Sequence, residues 1–312
     1  MTLRIGTRGS ALALAQSGIV ASALAKASGD EVELVAISTE GDHSKASLSS
    51  LGGTGVFASA LREALLAGEC DLVVHSLKDL PTDAYPGLRI GAVPKRVDAR
   101  DALVSRDGVA LDALPEGAKV GTGSPRRVAQ LRAFRPDLDI HDIRGNVDTR
   151  LARVTADLDA VVLAVAGLTR LGRLDAVSEL LSLGRWPSAP GQGALAIEVR
   201  DDSPGALTAA LATLDHQSSH LAVLAEREVL AQLEAGCAAP IGATAVLDDE
   251  LLFLSATIYA IDGSSSLTSS HALVVEGSRQ ERLRLPSELG KRVADELLRL
   301  GAADLAPLGV TS

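Results

Sequence analysis

From Leu3 to Val165 the chain alternates strand-like and helix-like segments, and that alternation limits its fold more than any other feature. Leu3–Thr7 reads as a strand. A helix follows from about Ser10 to Lys26, where Leu12, Gln16 and Ile19 recur at helical spacing and Ser10 suits the N-cap. Glu31–Ser38 reads as a strand, Phe57–Ala67 as a helix and Asp71–His75 as a short buried strand. Strands that run parallel need crossover helices, so this order demands a mostly parallel sheet covered by helices. After a Pro/Arg/Asp-rich junction at Pro94–Asp101 the pattern restarts. Lys119–Gly123, Asp139–Ile143 and Asp159–Val165 read as strands, with helices at Pro125–Phe134 and Val147–Ala156 between them.

Ala194–Val199, after the turn Pro190-Gly191-Gln192-Gly193, is a further strand placed to rejoin the first sheet. A long helix spans His216–Leu233 and stops at Gly236. The remainder reads as three strands and one helix, Glu288–Leu300, a smaller α+β domain. The expected partition is residues 1–95 with 194–213, then 99–188, then 216–312. Residues 39–56 are rich in Ser, Gly and charge and long for a connection, so a flap over a cleft is expected there.

With 312 residues, 46% of them hydrophobic, the chain can build two or three cores, but only 2% is aromatic, so Ala, Val, Leu and Ile must fill them. No apolar run reaches the roughly 18 to 20 residues that span a bilayer, and the first ten residues show no secretory pattern. A cytoplasmic protein with no membrane partner is expected. The net charge of −10 argues against nucleic acid as a partner, yet basic residues cluster at Arg126-Arg127 and at Arg144 and Arg150. A cationic pocket in an acidic protein suits a small polyanion. Of the two cysteines, Cys70 precedes an apolar strand and reads as a small buried hydrophobe. Cys237 sits in a small-residue turn, Gly236-Cys237-Ala238, from which a thiol reaches a cavity. No cluster of ligand-type residues points to a metal.

Gly121-Thr122-Gly123-Ser124-Pro125-Arg126-Arg127 joins a strand to a helix, where free backbone N–H groups attract anions and two arginines add charge. The plainer reading is a capped helix with solvated arginines. Arg144-Gly145-Asn146-Val147-Asp148-Thr149-Arg150 also opens a helix, with Asn146 suited to cap it. Cations there oppose the helix dipole, a conflict that a bound polycarboxylate relieves; solvated arginines are an equal reading. His75-Ser76-Leu77-Lys78-Asp79-Leu80-Pro81 leaves the carboxyl end of a strand, where open α/β sheets bind ligands. Taken alone, Lys78 and Asp79 read equally well as a surface ion pair, and His75 as a hydrogen-bonded histidine at the base of a cleft.

These pieces, in this order, resemble the porphobilinogen deaminase (hydroxymethylbilane synthase) family. The resemblance runs from Leu3-Arg4-Ile5-Gly6-Thr7-Arg8-Gly9-Ser10 with Gln16, through Val74–Pro81, Gly121–Arg127, Leu163–Arg170 and Pro190–Ala194, to Leu233–Gly242. It implies an α/β protein of three domains, two tandem α/β domains like type II periplasmic binding proteins and a smaller C-terminal α+β domain. It implies a monomeric transferase of haem and porphyrin biosynthesis that deaminates and joins four porphobilinogen molecules into a linear tetrapyrrole. The primer is a dipyrromethane held by a thioether on Cys237. By the same resemblance Asp79 is the catalytic acid/base. Lys78, Asp79, Ser124, Arg126, Arg127, Arg144 and Arg150 bind the cofactor, and Arg8, Ser10, Gln16, Arg144, Arg150 and Arg170 the substrate. The chain departs from many relatives at Ala235, Thr54 and Glu40, so the flap carries less positive charge here.

The implied reaction poses an electrostatic problem. Loss of ammonia from porphobilinogen leaves a cation, which the arginines holding the carboxylates repel. One carboxylate beside the pyrrole nitrogens answers it: at about 4 Å and an effective dielectric near 20 the pair is worth roughly 4 kcal/mol, on the order of a thousandfold in rate. Asp79 is the candidate. The rival reading from another class is a solute-binding module, which suits the tandem α/β units but leaves Cys237 and the third domain without a role. A purely structural scaffold leaves the clustered arginines unexplained.

Overall fold

The computed structural model describes residues 2–38, 55–235, 239–306 and 308. Its strands are, in chain order, β1 (Thr2–Thr7), β2 (Glu31–Ala36), β3 (Leu72–Ser76), β4 (Leu88–Ala92), β5 (Asp101–Ser105), β6 (Lys119–Gly121), β7 (Asp139–His141), β8 (Ala160–Ala164), β9 (Glu179–Leu180), β10 (Leu195–Arg200), β11 (Ile241–Asp248), β12 (Leu251–Tyr259) and β13 (Ser266–Val274). The chain divides into two compact units, residues 1–97 with 194–220, and residues 98–193 with 221–311.

The first unit holds a five-stranded sheet in the order β2-β1-β3-β10-β4. β1 pairs in parallel with β2 and β3, whereas β10 lies antiparallel between β3 and β4. Alternation along β3 sends Leu72 and Val74 to one face and Val73 to the other. The first face packs with Ile5, Ile197, Val20 and Leu24, the second with Leu61, Leu65 and Cys70. Cys70 is fully buried, as its sequence context suggests, and burial pushes its thiol pKa up.

The helix Ala11–Ser28 starts where expected, because the Ser10 hydroxyl accepts from the Ala13 N–H, and ends on Gly29 at φ 74°. Contrary to the sequence expectation, this helix is long and apolar enough to cross a bilayer, with mean hydropathy 1.2 over 18 residues. In the structure Gln16, Ser17, Val20 and Leu24 form its buried face.

The second unit repeats the topology, β7-β6-β8-β5-β9, with β5 as the antiparallel strand. Apolar clusters cover both faces, one around Leu103, Val120 and Trp186 and one around Ile143, Val161 and Leu168. The unit also contains an antiparallel sheet, β11-β12-β13, whose inner face packs with the helices Gln217–Gln232 and Arg279–Arg299. This is the α/β fold with an added α+β part that the sequence implies.

The mostly parallel expectation needs one correction, the antiparallel strand inside each sheet. β10 reaches the first sheet after the whole excursion through β5–β9, and β5 enters the second directly from the first. The helix Gly205–Leu214 and the strands β4, β5 and β9 had no clear sequence signature. The last long helix begins at Arg279 rather than Glu288. A capping box of Ser278 and Glu281 starts it, and the interior Pro286 hides its first turns from a sequence reading. The expected stop at Gly236 lies outside the described residues, as does most of the expected flap (residues 39–54). The helix itself ends at Gln232, with Glu234 taking φ 47°.

Candidate active site

In the first unit the candidate residues sit where β1 and β3 end. Ser10 spends its hydroxyl on the helix cap, and half-buried Arg8 stands between it and β1. Gln16 is buried and donates from Nε2 to the Ser76 hydroxyl at 2.7 Å, so it joins the helix to the end of β3. One 3₁₀ turn, Leu77–Asp79, follows β3. Leu77 is fully buried and its N–H donates to the Ala194 carbonyl at 3.1 Å, which anchors the turn from below. Lys78 is half-buried and Asp79 exposed. A charged pair therefore leaves a rigid strand end by a single turn, which suits precise placement of a carboxylate.

Beneath that strand end lies a buried hydrogen-bonded triad. The Arg62 guanidinium donates to Glu198 from Nε and Nη2, at 3.0 and 2.8 Å, and His75 Nε2 lies 3.2 Å from the same carboxylate. Burial alone would raise the Glu198 pKa, but the bonds to His75 and Arg62 outweigh it and hold the group below the usual range. His75 is thus the hydrogen-bonded histidine that its position suggests.

In the second unit, the parallel strands β7, β6 and β8 lie side by side and each runs directly toward a helix. Asn146 caps the helix Val147–Ala156, its Oδ1 accepting from the Thr149 N–H at 2.8 Å, and Gly145 at φ 102° packs against the Thr149 side chain. Arg144 is exposed, with Nε 4.0 Å from Asp142, and Arg150 donates from Nε to the Gly145 carbonyl at 2.9 Å. Ser124 precedes the helix Pro125–Phe134 without a side-chain cap bond. A cleft of about 370 Å³ opens beside Thr122, Ser124 and Pro125 and extends to Asp142 and Pro240.

Arg126 and Arg127 are not the solvated groups of the plainer sequence reading. Both are buried on the carboxylate of Asp101, at 2.9 and 2.6 Å. Burial would raise the Asp101 pKa, but Arg126 and Arg127 overcome it and keep the group far below the usual carboxylate range. Arg170 differs. It donates to the Gly193 carbonyl at 2.8 Å, and no carboxylate among the described residues pairs with it. Burial pulls its pKa down to about 10, so it stays charged at neutral pH.

Sequence reasoning missed Asp101, Trp186 and Gln192. The available signals were an acid opening an otherwise apolar strand and a glutamine between two glycines. Cys237 lies outside the described residues. No group of three or more His, Cys, Asp or Glu that could hold a metal occurs among the described residues.

A dipyrromethane has two pyrrole rings with two carboxylates each, and the donors here fit such a group. Among the described residues Arg170 is a half-buried cation without an acid partner and Ser124 has no side-chain cap bond, and two helix N-termini open next to each other along one sheet edge.

Comparison with known sequence families gives the same direction. Residues 3–208 match the sequence family "Porphobilinogen deaminase, dipyromethane cofactor binding domain", and residues 220–299 match "Porphobilinogen deaminase, C-terminal domain". The porphobilinogen deaminase of Leifsonia xyli subsp. xyli is 63% identical over 98% of this chain and 94% of its own. That of Cutibacterium acnes is 52% identical over 98% and 97%. Among solved structures, a periplasmic substrate-binding protein of an ABC transporter from Coxiella burnetii aligns with 68% of this chain and 91% of its own, at 14% identity and a TM-score of 0.43.

Proposed function

Since the chain belongs to the porphobilinogen deaminase family, we propose that Asp79 is the carboxylate on which its chemistry depends. The family is one of enzymes that polymerise porphobilinogen on a dipyrromethane cofactor toward a linear tetrapyrrole. When bound, that cofactor supplies the nucleophilic pyrrole carbon to which the first substrate is joined. The single observation that carries the reading of Asp79 is its placement, exposed on one turn anchored by buried Leu77 at the carboxyl end of β3.

The chain's own residues then divide the work. Asp79 holds a negative charge for the cation left as ammonia departs and moves a proton at the pyrrole nitrogen, a contribution of about 10² to 10⁴ in rate. Lys78, Ser124, Arg126, Arg127, Arg144 and Arg150 bind cofactor carboxylates. Arg8, Ser10, Gln16 and Arg170 bind substrate, with Arg144 and Arg150 shared. Cys237 anchors the cofactor. We read the chain as three domains, one per sheet, and the enzyme as a cytoplasmic monomer without nucleic acid or membrane as partner, in keeping with the net charge of −10.

Asp79→Asn tests the assignment. The variant is expected to fold and to gain the mass of two pyrrole units on loading, yet to turn over at least about a hundredfold more slowly. Near-wild-type turnover of the loaded variant would refute it.

A further inference from the structure

Asp101 opens β5 with a carboxylate that is fully buried and receives four donors. Oδ1 accepts from Arg127 Nη2 at 2.6 Å and from Gln192 Nε2 at 2.8 Å. Oδ2 accepts from Arg126 Nη2 and from Trp186 Nε1, both at 2.9 Å. Each guanidinium is fixed again on its far side. Arg126 Nη1 donates to Gln130 Oε1 at 2.6 Å and to the Pro187 carbonyl at 3.0 Å, and Arg127 Nη1 to the Val162 carbonyl at 3.0 Å. The Nε–H of both arginines is buried without a partner among the described residues.

Two cations on one anion leave a single positive charge inside the protein, in the first turn of the helix Pro125–Phe134, where the helix dipole adds more of the same sign. An ion cluster selected only for stability has no reason to be unbalanced, because an uncompensated buried charge is costly. The imbalance is useful if a ligand anion completes it.

We propose that Asp101 is a positioning residue for the reaction: its one carboxylate sets the orientation of both Arg126 and Arg127 and leaves the pair a single net charge, matched to one carboxylate of the cofactor or the growing chain. Trp186 and Gln192 fix Asp101 in turn. The Gln192 turn also carries the Gly193 carbonyl that holds Arg170, so one turn sets the place of three arginines. The proposal rests on the reading that Arg126 and Arg127 bind ligand carboxylates.

The test uses the full chain with Asp101→Glu, Asp101→Asn and Arg127→Gln. The readouts are the intact-mass gain of two pyrrole units, KM and kcat of the loaded fraction, and the melting temperature. Asp101→Glu keeps the buried charge but displaces it, so it decides the matter if Asp101→Asn does not fold. Its loading is expected to slow about tenfold, and its KM to rise about tenfold while kcat stays within about threefold. A lower melting temperature with loading and KM at wild-type values would mean that Asp101 only stabilises, and would overturn the proposal. Wild-type loading and KM in Arg127→Gln would overturn the underlying reading instead. Loss in Arg127→Gln beside wild-type behaviour in Asp101→Glu would overturn the positioning role alone.

Discussion

Glu198 shows how much a single side chain carries in this protein. Its carboxylate is nearly inaccessible and serves Arg62 and His75 together, so Glu198→Gln strands a buried guanidinium. Breaking such a pair costs about 3–5 kcal/mol, read as a lower midpoint in urea unfolding. The pH dependence follows from the depressed folded pKa. The contribution is complete above the ordinary glutamate value of 4.5 and is lost as pH falls through the lower folded value. Stability of Glu198→Gln is therefore expected to fall less steeply than that of the wild type below about pH 4.5. An unchanged slope would show that Glu198 does not contribute to the acid limb. At Cys237 the expectation is chemical: Cys237→Ser should lose the covalent mass of two pyrrole units, and retention of that mass would place the anchor elsewhere. The sequence showed the type of these residues but not their commitments. Arg126 and Arg127 read as a free cationic pair because their counter-ion, Asp101, comes from a strand with no clear pattern of its own. The position of Asp79 just after β3 was legible because motif and strand end belong to one short stretch of chain.

At the scale of elements, local signals were reliable where capping chemistry is explicit. Ser10, Asn146 and Pro125 mark helix starts that the structure reproduces. They failed where tertiary packing decides. The helix Arg279–Arg299 keeps Gly290 in its interior although alanine is the better helix former by about 1 kcal/mol. The reason is close approach to its neighbour: a Cβ at Gly290 would meet the Glu228 Cβ at 2.4 Å and the Ala225 carbonyl oxygen at 2.8 Å. Forcing the two helices apart costs about 1–3 kcal/mol, which equals or exceeds the propensity gain. Gly290→Ala is expected to lower the melting temperature, and a higher one would show that the helices separate freely.

At the scale of the molecule, each five-stranded sheet is completed by a strand that does not follow its neighbours in sequence. The alternation of strands and helices was visible in the sequence, but this exchange was only partly so. The return of β10 to the first sheet is legible in the sequence, whereas β5 is not. Neither insertion leaves a periodic trace, since both are short apolar runs that period alone cannot assign. A chain truncated after Gly193 lacks β10, which pairs with both β3 and β4. It is expected to lose cooperative melting of the first unit, measured by circular dichroism, and a sharp native-like transition would refute this.

The late arrival of β10 also bears on synthesis at the ribosome. Once β4 has emerged, roughly a hundred further residues must be translated before its partner appears, about 5–20 s at 5–20 residues per second. Throughout that interval the nascent N-terminal segment carries Arg62 and His75 without Glu198, and β3 and β4 have open edges where their shared neighbour belongs. Exposed strand edges invite pairing with other chains. The newborn polypeptide therefore keeps both edges open to such pairing until residue 200 clears the exit tunnel.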